Sequence, residues 1–202
     1  MSFLKNLFTV ATLLVALTFS AVANNFSVDT KSSKLNWTGE KVTGKHWGTV
    51  NIKSGSVSLN GEKMSGSFEI DMTSIVADDL KNDKGTHDKL VGHLKSDDFF
   101  SVDKNPTAKF TLKKADKYNP KKGENYNYMV TGDLTIKGIT HEIRFPAKID
   151  IKGKDMTANA SFTIDRSKWD VRFGSGSFFD NLGDKMIYDD IKFDLNLKGK
   201  SN

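Results

Sequence analysis

Residues 126–151, YNYMVTGDLTIKGITHEIRFPAKIDI, change parity in their middle. Up to Ile136 the apolar or small side chains fall on even positions: Tyr126, Tyr128, Val130, Gly132, Leu134 and Ile136. After Gly138 they fall on odd ones, Ile139, Ile143, Phe145, Ala147, Ile149 and Ile151, with His141 interrupting the row. Alternation with period two marks a strand with one dry and one wet face. A two-residue hairpin loop at Lys137 and Gly138 reconciles the two rows, because glycine readily takes the backbone conformation such a loop needs. It sets Ile136 against Ile139, Leu134 against His141, Gly132 against Ile143 and Val130 against Phe145, all on one face. Asp133 then lies opposite Glu142 on the outer face, a mild repulsion that Lys137 and Arg144 are placed to screen.

A second turn at residues 152–155 extends the register. It sets Ile149 against Ala158, Ala147 against Ala160, Phe145 against Phe162 and Ile143 against Ile164, and, carried further, His141 against Arg166. Working outward, the same alternation recurs at 35–39, 47–52, 56–59, 64–72, 108–114, 156–165 and 191–197. The main interruption is 86–95, where Leu90, Val91 and Leu94 have helical spacing and Thr86 can cap the first turn. A further helical turn is weakly signalled at 178–183. Many antiparallel strands with one dry face each must bring those faces together, and closing the sheet into a barrel also removes its edges. The fold expected is all-β with one short α-helix; a two-sheet sandwich is the alternative, and strands of about ten residues joined by consecutive hairpins favour the barrel.

Gly132, Ala147, Ala158 and Ala160 cluster on the inward surface, with Gly66 from a neighbouring strand. Small inward residues leave room in a barrel of about eight strands for one slender ligand. Filling of that room by Phe110, Phe162, Trp37 or the helix is the competing reading. The wall of such a site would comprise Phe68, Ile70, Phe110, Val130, Gly132, Leu134, Ile143, Phe145, Ala147, Ala158, Ala160 and Phe162. His141, Arg166 and nearby Trp169 form a candidate head-group rim at one mouth, since imidazole and guanidinium donors suit a pyrophosphate or quinone carbonyls. Alternatively Arg166 pairs with Asp165, Asp71 or another carboxylate and braces its own loop.

The chain opens with Lys5, an apolar run from Leu7 to Phe19 and the triplet Ala21-Val22-Ala23, the pattern of a cleaved signal peptide over residues 1–23. A domain over 24–202 would follow, exported to the periplasm. No later apolar stretch is long enough to span a bilayer. There is no cysteine, so stability must come from the core. The formal charge of +5 arises from interspersed acids and bases. No basic run is interleaved with aromatics, so nucleic acid is not an expected partner.

No other motif carries chemistry. His87 and His93 stand six apart on the expected helix, about 240° around it, and cannot share one ion. His46 and His141 lie on separate strands without partners at ligand spacing, so no metal is expected. There is no nucleophile elbow and no thiol. The glycine pair of residues 174–176 reads as a flexible loop.

Five stretches, GKHWGTV, GSFEIDMTSI, HLKSDDFFSVDKNPTAKF, VTGDLTIKGIT and FTIDRSKWDVRFG, resemble in order the blocks of the YceI-like, polyisoprenoid-binding family across residues 26–197. The resemblance implies an extended, eight-stranded, lipocalin-like antiparallel barrel enclosing a long amphiphile such as a polyprenyl pyrophosphate or an isoprenoid quinone. A homodimer is compatible with the resemblance, and the protein expected is a binder without catalytic residues or cofactor, in transient contact with a membrane it does not span. Carriage of a fatty acid or fatty amide, or modification of a lipid, are the rival functions.

Overall fold

The computed structural model describes residues 23–201, so the signal-peptide reading falls almost wholly outside the described residues. Nine strands follow in order: β1 (Asn24–Val28), β2 (Lys34–Lys41), β3 (Gly44–Asn60), β4 (Lys63–Ala77), β5 (Thr107–Lys117), β6 (Tyr128–Ile136), β7 (Ile139–Lys152), β8 (Asp155–Asp165) and β9 (Ile187–Ser201). One helix, α1 (Lys84–Lys95), joins β4 to β5. Strands β2 to β9 each pair antiparallel with their sequence neighbour, and β9 returns to β2, which closes an eight-stranded, lipocalin-like barrel. Short β1 pairs with both β3 and β9, so it continues the wall where β2 is absent.

The hairpin that decides the fold forms as its sequence pattern dictates. Lys137 (φ 51°) and Gly138 (φ 75°) both take the left-handed conformation that a twisted two-residue turn requires. Ile136 pairs with Ile139, Leu134 with His141, Gly132 with Ile143 and Val130 with Phe145. The Asp133/Glu142 repulsion is relieved by Lys113, 2.7 Å from Asp133 and 3.1 Å from Glu142, rather than by Lys137 or Arg144. Lys113 is the extra residue where the β5–β6 register shifts between Leu112 and Lys114, and its two carboxylate partners, Asp133 first, raise its affinity for a proton.

The second turn holds its register only in part. β7 and β8 pair from Lys152/Asp155 to Lys148/Asn159 and no further. Even-numbered residues of β7 turn their backbone groups toward β8, and the next in that series is Pro146, which has no N–H to give. The extrapolated pairing of His141 with Arg166 therefore does not form. Chain after β8 packs across the parted strands: a 3-10 turn (Arg166–Trp169) puts Trp169 against β6, its Nε1 donating to Leu134 O at 3.0 Å.

Two departures from the periodic pattern have local causes. β3 is one strand of 17 residues where two short ones were expected. Its register against β4 shifts between Thr49 and Asn51 and again between Ile52 and Ser54, so buried positions move from even (Val50, Ile52) to odd (Val57). The cap of α1 is Asp83, whose carboxylate accepts from Thr86 N, not Thr86 itself. Buried side chains form two clusters. One surrounds Phe26, Met64 and Met156 at the β1 end, and the other surrounds Met72, Val102 and Trp169 at the α1 end.

Candidate functional site

A cavity of about 610 Å³ runs through the barrel and connects the two clusters. That volume suits one small-molecule ligand. At its floor stand Val57, Met64, Ile149, Met156 and Leu197; at its lip stand residues of the β2–β3 hairpin, α1 and the segment leading into β9. Ile187 and Leu197 both line it and sit ten residues apart on β9. At about 3.3 Å per residue and a strand tilt of about 40°, the depth is about 25 Å.

Halfway down, five phenylalanines form a belt. Phe68 lies 6.1 Å from Phe110, Phe110 5.9 Å from Phe145, Phe145 4.3 Å from Phe162 and Phe162 5.5 Å from Phe193, centroid to centroid. The stacked Phe145/Phe162 pair spans β7 and β8 where their ladder has ended, so side-chain packing replaces backbone hydrogen bonds there. Lining polar side chains are confined to the lip: Glu40, Lys41, Lys45, His46, His93, Arg166, Asp184, Lys185 and Tyr188. Trp37, deeper, donates its Nε1 to Val76 O and presents carbon to the cavity.

Eleven of the twelve expected wall residues line this cavity: Phe68, Ile70, Phe110, Val130, Leu134, Ile143, Phe145, Ala147, Ala158, Ala160 and Phe162. Gly132 does not. A Cβ there would lie 2.5 Å from Phe110 Cζ and 2.5 Å from Thr111 O, so its missing side chain admits the Phe110 ring rather than a ligand. Gly66 is similar, its Cβ position 2.4 Å from Ser56 O. Ala147, Ala158 and Ala160 are the small positions that do widen the cavity.

The expected rim does not assemble. His141 is solvent-exposed, its ring edge-on to Trp169 at 5.4 Å, and neither residue lines the cavity. Arg166 is 2% exposed. Its guanidinium donates to the carbonyls of Val171 (3.0 Å), Ile187 (3.2 Å) and Tyr188 (3.3 Å) and lies 3.3 Å from Asp189. Burial pulls its pKa down, and Asp189 and Asp165 push it back up. The alternative reading of Arg166 as a brace thus describes its contacts, with Asp189 as the carboxylate. It ties the chain after β8 to the start of β9 and so shapes the lip.

Sequence periodicity missed most of that lip. Residues 166–186 are irregular, and the supposedly flexible glycines at 174 and 176 flank fully buried Ser175, whose Oγ donates to Asp189 at 2.8 Å. The helical turn signalled at 178–183 does not form; the 3-10 turn of this segment lies at Gly183–Lys185 and shares only Gly183 with it. His93 is half-buried between Phe99 (5.0 Å) and Phe173 (4.4 Å). Leu90, Leu94, Phe99 and Phe100 join it, so α1 and the residues after it roof one side of the opening. His46 is held by Asp79 at 2.7 Å. Among the described residues, no three His, Asp or Glu side chains cluster at metal-binding distance.

Comparison with known proteins places the chain in a family. The model of the YceI-like domain matches residues 26–199. The chain belongs to the YceI-like family. Relatives include a UPF0312 protein of Photorhabdus laumondii, 31% identical over 67% of each chain, and one of Vibrio campbellii, 32% identical over 75% of this chain and 77% of that one. A Staphylococcus epidermidis UPF0312 protein is matched over about half its length, 56%. Among solved structures, Burkholderia cenocepacia BcnA superposes with a TM-score of 0.62 at 24% identity, over 85% of this chain and 98% of that one. A polyisoprenoid binding domain from Saccharophagus degradans gives 0.60 at 15% identity, over 88% and 98%. These two likenesses are likenesses of fold.

Proposed function

We propose that this YceI-like protein binds one long isoprenoid-type amphiphile in its barrel and sequesters or carries it through the periplasm, reached by way of the signal sequence in residues 1–23. The observation that carries this reading is the segregation of the cavity wall: hydrocarbon from floor to belt, with every lining polar side chain at the lip. An apolar chain enters such a space without stranding a polar group, and a head group stops where donors begin. The polyisoprenoid-binding description of the Saccharophagus degradans domain, on the same fold, supports the same ligand class.

The dimensions set a length. An extended chain advances about 1.2 Å per bond, so an isoprene unit of four backbone bonds takes about 5 Å and a depth of about 25 Å holds about five units. Burying their carbons at about 0.8 kcal/mol each gives about 20 kcal/mol before the cost of ordering the chain, near the ceiling for non-covalent affinity. Tight binding with little discrimination among apolar chains follows, and length and head group supply the selectivity. With His141 and Trp169 outside the cavity, the head group meets the lip residues instead. The protein performs no chemistry on the lipid. At the lip Arg166 is committed to carbonyls and Asp189, Ser175 to Asp189 and His46 to Asp79, while Lys41, Lys45, Lys185 and Asp184 are in no ion pair among the described residues and face an arriving head group.

Trp37 supplies the assay. Delipidated protein titrated with a polyprenyl phosphate of about five units should show saturable quenching or a blue shift of its fluorescence at one ligand per chain. A short-chain prenyl phosphate should compete weakly. Equal competition by both, or no saturable response, would refute the reading.

A further inference from the structure

Six large apolar side chains are exposed among the described residues, between 40% and 49% each. Five of them, Val42, Phe173, Phe178, Phe179 and Tyr188, lie on two of the three segments that make the lip, the β2–β3 hairpin and the chain leading into β9. Val42 is at the tip of the β2–β3 hairpin and is tied to the other segment by its N–H to Met186 O at 3.1 Å. Phe173 and Tyr188 line the cavity itself. The sixth, Trp47, sits on the outer face of β3 close to the same tip, with Lys45 Nζ 5.8 Å from its ring. Exposed apolar side chains gathered at one place mark a contact surface, whereas scattered ones do not.

Charge at the lip narrows the partner. Lys41, Lys45 and Lys185 line the opening, and no ion pair holds any of them among the described residues. Against them stands Asp184, also without an ion pair among the described residues; Glu40 is already engaged by Lys192 at 2.8 Å. Arg172 lies 4.8 Å from the Phe178 ring, apolar face and cation side by side. Aromatic rings with lysines among them, around the mouth of an apolar cavity, match the boundary of a bilayer, where rings sit at head-group depth and ammonium groups meet lipid phosphates.

We infer that this collar docks the open end of the barrel on an anionic phospholipid membrane, so that an amphiphile passes between bilayer and cavity without crossing water. The inference rests on the reading of the cavity as a lipid site and adds the membrane as the surface it faces. Phe178 and Phe179 carry the test, because they are exposed and lie outside the cavity lining.

The full mature protein and its F178S/F179S variant are floated with vesicles of phosphatidylglycerol and phosphatidylethanolamine, and with pure phosphatidylcholine vesicles. Native mass spectrometry of the same samples reads their cargo, and thermal melting reads their fold. The wild type should float with the anionic vesicles, less so at high salt, and the variant should partition about tenfold more weakly while keeping its cargo and melting point. If substitution lowers the melting point, F179W in the otherwise natural chain replaces it, and its emission should shift to the blue on anionic vesicles. Failure of the wild type to float, equal flotation of wild type and variant, or indifference to lipid charge and salt would overturn the inference. So would a dimer that the variant abolishes without any effect of vesicles, which would assign the collar to a second copy. Docking that fails while cargo is present leaves the cavity reading standing; docking that holds in an empty protein removes that reading alone.

Discussion

Ala160→Phe should shorten the ligand that the barrel accepts. Ala160 lines the cavity and pairs with Leu195 on β9, two residues above Leu197 at the floor. A phenyl ring at that level closes off the last two residues of depth, about 5 Å at the strand rise and tilt used above. That is one isoprene unit. A chain that reaches the floor in the wild type would lose the burial of about five carbons, about 4 kcal/mol, or about a thousandfold in affinity. A chain one unit shorter should bind both proteins alike. The ring enters open space, so stability should change by less than about 1 kcal/mol, a melting shift within about 4 °C for a chain of this length. Competition for Trp37 quenching by a series of prenyl phosphates differing by one unit reads the cut-off directly. An unchanged length profile with an unchanged melting point would show that Ala160 does not border the ligand space, and a collapse in melting point would show that the space is not open there.

Gly132→Ala should do the opposite of Ala160→Phe, destabilising the fold by about 1–3 kcal/mol in chemical denaturation without altering which lipids bind, because its Cβ would meet the Phe110 ring and the Thr111 carbonyl. Arg166→Met should cost about 3–5 kcal/mol, since it strands three carbonyls and Asp189 in a buried site, and hydrogen exchange should localise the loss to residues 166–189. The Asp83 carboxylate is held below the ordinary aspartate value of 3.8, by the Thr86 hydroxyl first and the Thr86 backbone N–H second. A lowered carboxylate supports the fold above that value and withdraws support as pH falls through its folded value. The first turn of α1 should therefore exchange its amides faster below pH 3.8 in wild type, while Asp83→Asn, which keeps an acceptor but cannot titrate, should show a weaker pH response.

The fold was legible where strands are regular. Parity in residues 126–151 and one glycine turn place four cross-strand pairs at their observed partners. It was illegible where one extra residue changes parity, as in β3, whose two register shifts made a single strand read as two. Eleven wall residues followed from alternation alone, but a small residue has two opposite uses that parity does not separate. Ala147, Ala158 and Ala160 open the cavity; Gly132 admits a neighbouring ring. The rim failed through extrapolation. His141 and Arg166 were aligned by continuing a ladder past Pro146, and the missing N–H of that proline was the signal in the sequence that the ladder would stop. The lip between Arg166 and Tyr188 has no period to read, because hydrogen bonds from Arg166 and Ser175, rather than alternation, organise it.

The most direct measurement is native mass spectrometry of the protein released from its own periplasm, with organic extraction of the same sample. One isoprenoid amphiphile per chain, its hydrocarbon near the length that the cavity holds, is the predicted result. A protein that flies empty, or that carries a fatty acid or fatty amide in its place, would contradict it.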